Sequence, residues 1–190
     1  MITRYQYGET LIIKKEEQIG DWSIDSRYNS PSSHNYTLSN GLIVKDTEIQ
    51  DNVPIYILYT YDNNGYLDYF KGYEGEISDP YFSGMYSHDL EWTDGNLTEI
   101  SNLGRPFSHS YSNTPWIKGM IFDVFNGYHY IHDLYLASQG YYGELPKMLP
   151  SMSNGINHDY TITNGLVTKV VSSFTENGKT RTWVTHITWE

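Results

Sequence analysis

Two histidines and an aspartate crowd together at His129-Tyr130-Ile131-His132-Asp133. On a helix, His129 and His132 sit one turn apart and Asp133 adds an oxygen, which is transition-metal chemistry. The spacing is shorter than that of helical zinc motifs, and no third nitrogen ligand stands nearby. On a strand the two rings point to opposite faces and the site disappears, so no metal is assigned. A His-Asp dipeptide occurs at His88-Asp89, His132-Asp133 and His158-Asp159. Adjacent strand residues cannot act as a base and its orienting carboxylate, and no Gly-x-Ser-x-Gly turn supplies a nucleophile. Strand-end polar residues explain these pairs more simply. Carboxylates are numerous enough for a glycosidase pair at separations of roughly 5 to 9 Å, but no spacing selects one pair. Asp62-Asn63-Asn64-Gly65 has calcium-like oxygens without the distal glutamate of a calcium loop, and a hairpin turn accounts for it. No catalytic residue and no cofactor is therefore assigned. Trp116, Tyr141 and Tyr142 lie where no strand pattern uses them. Their rings suit stacking on a glycan or lining a small apolar pocket, and packing beneath an insertion is the competing use.

Composition narrows the partners. The formal charge is −11, from 12 Lys and Arg against 23 Asp and Glu. Lys14-Lys15 is the one basic pair and Glu16-Glu17 follows it, so no basic stripe exists for nucleic acid or an anionic membrane surface. No cysteine is present, which excludes disulfides and thiolate chemistry. Residues 1–20 have no basic start followed by an apolar run, and no apolar stretch approaches a membrane helix. No membrane span is expected. A chain of 190 residues with 16% aromatics, 19 of them tyrosine, can bury the core of a single domain spanning 1–190.

Any such site must be positioned by strands. Tyr59-Thr60-Tyr61 alternates across a strand, Asp62-Asn63-Asn64-Gly65 turns, and Tyr66-Leu67-Asp68-Tyr69 returns. Asn40-Gly41, Asp94-Gly95, Asn164-Gly165 and Asn177-Gly178 repeat the signal, and Tyr36–Lys45 and Tyr160–Val170 are near copies. Leu11-Ile12-Ile13 and Trp22-Ser23-Ile24 are further strand candidates, and residues 28–34 read as a loop. At the C-terminus Trp183, Thr185, Ile187 and Trp189 share one face, opposed by a more polar one. The pattern breaks between 103 and 157, which holds four of the seven prolines. There Ile131–Ala137 fits either a short helix closed by Gly140 or another strand, and Glu144–Pro150 an extended connector. The predicted fold is mainly β: an antiparallel hairpin meander forming a closed or half-closed barrel-like sheet, with an irregular, short-helical insertion around 103–157.

Tyr59-Thr-Tyr-Asp62-Asn-Asn-Gly65-Tyr-Leu67 resembles the tyrosine-aspartate repeat, although Ser39, Thr93 and Thr163 replace its aspartate elsewhere. Trp92–Ile100, the Gly-Tyr-Tyr-Gly-x-Leu-Pro run from Gly140 to Pro146, and Tyr160–Val170 are together similar to a family of exported proteins and lipoproteins. That family belongs to gut-dwelling Gram-negative bacteria, has a porin-like fold and has no assigned function. The resemblance implies a periplasmic or cell-surface setting and brings no catalytic residues. The expected function is a non-enzymatic ligand-binding or structural module of the envelope, with Trp116, Tyr141 and Tyr142 as ligand contacts. A glycan or a small apolar ligand is the expected partner. The rivals are a glycan hydrolase built on strand-end carboxylates and a small outer-membrane barrel.

Overall fold

The computed structural model describes residues 2–17, 33–50, 53–74, 84–101, 106–117 and 133–189. Among them run β1 (Ile2–Tyr7), β2 (Leu11–Glu17), β3 (Ser33–Ser39), β4 (Leu42–Gln50), β5 (Val53–Tyr61), β6 (Leu67–Glu74) and β7 (Gly84–Thr93). They continue with β8 (Asn96–Ile100), β9 (Phe107–Pro115), the helix α1 (Leu134–Ser138), β10 (Met148–Ser153), β11 (Ile156–Thr163), β12 (Leu166–Glu176) and β13 (Lys179–His186). The sheet order is the chain order, beginning at β1 and ending at β13. The antiparallel meander expected from the sequence is what the chain forms, and its order has two ends. The strand proposed at Trp22–Ile24 lies outside the described residues.

Asn-Gly and Asp-Gly corners make the folding-back cheap. Asn40, Asp94, Asn154, Asn164 and Asn177 have φ between 50° and 53°, and the glycine after each has φ of 73° to 80°. Positive φ at both central residues is the primed turn whose twist matches the strands, and few residues other than Asn, Asp and Gly accept it. The corner at Asp62–Gly65 is built differently from the Asn-Gly hairpin that its sequence suggests. There the Asp62 carboxylate accepts the backbone N–H groups of Asn64 and Tyr66, both at 2.9 Å, and the loop between β5 and β6 closes on them. Its slight burial works against ionisation, but the donors from Tyr66 and Asn64 outweigh it and hold the carboxyl below its usual range.

Three hairpins share a second device. Beyond Gly41, Gly95 and Gly165 the register slips by one residue, leaving Val44, Thr98 and Thr168 as bulges. Each bulge is three residues past its glycine, and each follows a fully buried aliphatic, Ile43, Leu97 or Val167. An extra residue changes which later positions face inward. Asp46, Ile100 and Val170, five past the glycine, are buried as a result. At two of the bulges a threonine hydroxyl donates to the carbonyl across the turn, Thr98 to Glu91 at 3.0 Å and Thr168 to Thr161 at 3.3 Å.

The chain divides into two compact units, described separately. The first comprises Met1–Tyr61 with Tyr69–Ser87, and its buried residues include Ile12, Tyr36, Ile43, Ile57, Tyr59 and Phe70. The second comprises Asp62–Asp68 with His88–Glu190, and buries Leu67, Leu90, Leu97, Ile100, Leu136, Leu149, Val167 and Val170. The irregular stretch expected over 103–157 is narrower than its boundaries. Phe107–Pro115 and Met148–Ser153 pair as β9 and β10, and Asn154-Gly155 turns β10 into β11. Prolines are tolerated here because the β9–β10 ladder is already irregular around Met148 and Pro150. Among the described residues the expected short helix is found at Leu134–Ser138, and residues 131 and 132 lie outside them. Asp133 caps its start by accepting Leu136 N–H at 2.9 Å. Gly140 (φ 86°) ends it: Gly140 N–H bonds Ala137 and Tyr141 N–H bonds Leu136, so two terminal carbonyls are satisfied.

Candidate functional site

Aromatic tips tie neighbouring strands together. In the first unit the Tyr61 hydroxyl donates to the Ile43 carbonyl at 2.6 Å. In the second unit Trp92 Nε1 donates to Leu67 (2.8 Å), the Tyr111 hydroxyl to Leu97 (2.7 Å) and Trp189 Nε1 to Val167 (2.7 Å). Every acceptor lies two residues past its turn glycine, and every donor comes from the next strand in order or the segment that extends it. Tyr160 makes the same kind of bond to Pro150 at 2.7 Å. Burial pushes the Tyr61, Tyr111 and Tyr160 phenols far above their ordinary range, so they act as fixed donors. A large apolar ring with one polar tip suits this task, since burial stabilises while the tip finds a partner.

A row of inward-facing polar groups repeats in the same way. In the first unit His34 on β3 meets both oxygens of Asp46 on β4 at 3.1 Å, with Lys14 buried alongside. Burial opposes charge on His34, but the hydrogen bond and charge of Asp46 win and its pKa is raised. In the second unit His88 Nδ1 contacts the Ser101 carbonyl at 2.9 Å. His109 Nδ1 contacts the Ser153 hydroxyl at 3.1 Å, and His158 Nδ1 the Ser172 hydroxyl at 3.0 Å. Burial lowers the pKa of all three; that of His109 falls to about 4, with the neighbouring His158 adding to the effect. They are neutral imidazoles at neutral pH.

This arrangement does not assemble a nucleophile and its base. Ser153 and Ser172 are 2% and 5% exposed, so a substrate cannot reach either hydroxyl. Both serines contact Nδ1, and His109 Nε2 is buried with no hydrogen-bond partner, so no carboxylate orients that ring. In the His-Asp dipeptides the two residues part company. His88 and His158 bond to the neighbouring strand, while Asp89 is exposed and accepts from the Ser101 hydroxyl at 3.3 Å. Asp133 is the helix cap, and His129 and His132 lie outside the described residues. Among the described residues no group of three or more His, Asp or Glu side chains could hold a metal ion.

The three aromatic ligand candidates separate. Trp116 is half-buried and packs on the Leu149–Val167–Val170 cluster, with its backbone N–H on the Lys147 carbonyl. Tyr141 is half-buried in the turn that closes α1, and Tyr142 retains 2% of its surface. The inward histidines and their serines were missed as a set from sequence. A signal for them existed: His34, His88 and His158 each stand seven residues before a turn glycine, Gly41, Gly95 and Gly165.

Ladder, bulge and tether define a repeating antiparallel meander with a polar row on its inner face. This chain is similar to a porin-like protein from Bacteroides uniformis of known crystal structure. The TM-score is 0.61 at 13% identity, over 96% of this chain and 86% of that one, which establishes likeness of fold. No family model matches the chain, and no curated protein matches it. No helix among the described residues is long and apolar enough to cross a membrane.

Proposed function

We propose that the chain is a non-enzymatic β domain of the bacterial cell envelope, periplasmic or at the cell surface, acting as a ligand-binding or structural module. One observation carries this: among the described residues, the inward-facing histidines, and the serines that His109 and His158 meet, are committed to holding one strand to the next. His34–Asp46, His109–Ser153 and His158–Ser172 are cross-strand bonds repeated along the meander. The porin-like fold supports the envelope setting. Trp116 and Tyr141 keep surface for a glycan or a small apolar ligand, while Tyr142 serves packing.

The test is a panel of chromogenic glycosides and esters together with a glycan array, run on the whole purified chain. No turnover is expected on any substrate, and any glycan retained should lose affinity in Trp116→Ala or Tyr141→Ala. Turnover that disappears in His88→Ala or Asp89→Asn would overturn the proposal in favour of a hydrolase. In cells producing the natural gene, recovery of the protein with the cytosolic fraction would overturn the envelope setting.

A further inference from the structure

β13 ends the sheet order, and among the described residues no strand pairs with its far edge. All eight of its residues are exposed, including Trp183 at 44% and Val184 at 48%. Natural edge strands are commonly blunted by prolines, bulges, charges or short length. β13 has no proline or glycine, and its register with β12 is unbroken from the Glu176 and Lys179 pair to the Lys169 and His186 pair. Its cations, Lys179 and Arg181, stand toward one end and leave Thr182–Thr185 without a charged side chain. Just past the strand, Ile187 N–H bonds the Thr168 carbonyl at 3.0 Å. Residues of an antiparallel ladder bond their partner strand alternately, so Arg181, Trp183 and Thr185 turn their backbone groups toward β12. Thr180, Thr182, Val184 and His186 therefore present N–H and C=O groups outward, on the side that has no strand.

We propose that β13 pairs with β13 of a second copy, antiparallel about a two-fold axis at Trp183, extending the sheet across both chains. The backbone selects this register. It sets Thr180 opposite the partner's His186 and Thr182 opposite the partner's Val184, so every outward N–H and C=O is bonded. A slide of two residues either way leaves the outward groups of one end residue without a strand partner. The same register keeps like charges apart, since Arg181 meets the partner's Thr185 and Lys179 the partner's Ile187. On that face Trp183 lies opposite the partner's Trp183, in a pair without hydrogen bonds, where side chains come closest and two rings can stack. On the other face threonine meets valine, a β-branched pair. A foreign acidic strand is the competing occupant, with carboxylates facing Lys179 and Arg181. It uses the charges at one end of the edge, whereas self-pairing uses its whole length. Eight residues extend about 27 Å, so the contact belongs to the weak class of interfaces, with a dissociation constant of roughly 1 μM to 1 mM. Each copy carries −11, so screening by salt strengthens the association.

Analytical ultracentrifugation of the full chain from about 10 μM to about 1 mM tests this. A monomer–dimer equilibrium is expected, tighter at about 1 M salt than at about 0.1 M. Trp183→Lys and Trp183→Glu each set like charges opposite one another and should weaken dimerisation at least about tenfold. An equimolar mixture of the two variants should restore it, which only direct opposition at this position explains. Thr182→Pro removes an outward N–H that β12 does not use, and should give a monomer with unaltered circular dichroism. Val53→Lys, at an exposed position on β5, should leave dimerisation unchanged. A chain that stays monomeric up to about 1 mM overturns the proposal. So does dimerisation that Trp183→Lys and Thr182→Pro leave intact, that the mixture fails to restore, that Val53→Lys abolishes, or that salt dissolves. Binding of a labelled peptide of alternating threonine and glutamate, by a chain that does not dimerise, overturns it in favour of a foreign acidic strand.

Discussion

Acidification tests the inward row through His109. Its ring sits on β9 with Nδ1 held by Ser153, and burial, aided by the neighbouring His158, takes its pKa from 6.5 to about 4. The unfolded chain therefore binds the extra proton first. The neutral ring's contribution is complete above the unfolded value and is lost as pH falls from 6.5 toward the folded value. With pKa values of 6.5 and about 4, the loss is about 2 kcal/mol near pH 5 and about 3 kcal/mol near pH 4. His109→Phe keeps a flat ring of similar size and removes the titration. Urea unfolding of wild type and variant, followed by circular dichroism from neutral pH to about pH 4, isolates the term because every carboxylate titrates in both. The variant should stand at a fixed offset near neutrality and gain on wild type by that amount through the window. Parallel stability curves down to about pH 4 would refute the assignment of a buried neutral imidazole.

Three further outcomes follow from single contacts. Trp92→Phe removes the indole donor to Leu67 and should cost about 1 to 2 kcal/mol in urea unfolding, whereas Trp183→Phe, on the exposed end strand, should change stability by no more than about 0.5 kcal/mol. Gly165→Ala meets no atom within 4 Å but must adopt φ of +78°, so thermal unfolding should report a cost of about 1 kcal/mol, conformational in origin. Asp46 raises the pKa of His34, so the ionised pair stabilises fully below the unfolded histidine pKa and fades as pH rises through the folded one. Asp46→Asn should therefore destabilise more at mildly acidic than at alkaline pH, and a deficit growing with pH in paired urea titrations would contradict this sign.

Corners were the legible part of this fold. Asn-Gly and Asp-Gly state their own backbone requirement, so the hairpins at Gly41, Gly95, Gly165 and Gly178 could be placed from residue types alone. Asn154-Gly155 carries the same signal but stands among prolines with poor alternation, and it was absorbed into the insertion. Asp62–Gly65 was placed correctly as a turn, but its geometry depends on where the Asp62 carboxylate points, which the Asn-Gly pair does not encode. The bulges at Val44, Thr98 and Thr168 explain why the inner polar row was hidden. Strict alternation beyond each turn puts Asp46 and Val170 on the outer face, and one unpaired residue returns them to the interior. The rows of aromatic tethers were hidden for a related reason, since each bond joins residues 14 to 25 positions apart on adjoining strands. Trp116, Tyr141 and Tyr142 were chosen because no pattern claimed them, and burial then distinguished Tyr142 from the other two.

Inward polar groups serving as cross-strand fastenings are tested most directly at His88, whose Nδ1 meets a backbone carbonyl. A carbonyl only accepts, so the neutral ring must carry its proton on Nδ1. A long-range proton–nitrogen correlation spectrum at neutral pH should find His88 in that tautomer, neutral, with a pKa below the ordinary 6.5. A His88 protonated on Nε2 and titrating at or above that value would contradict the account.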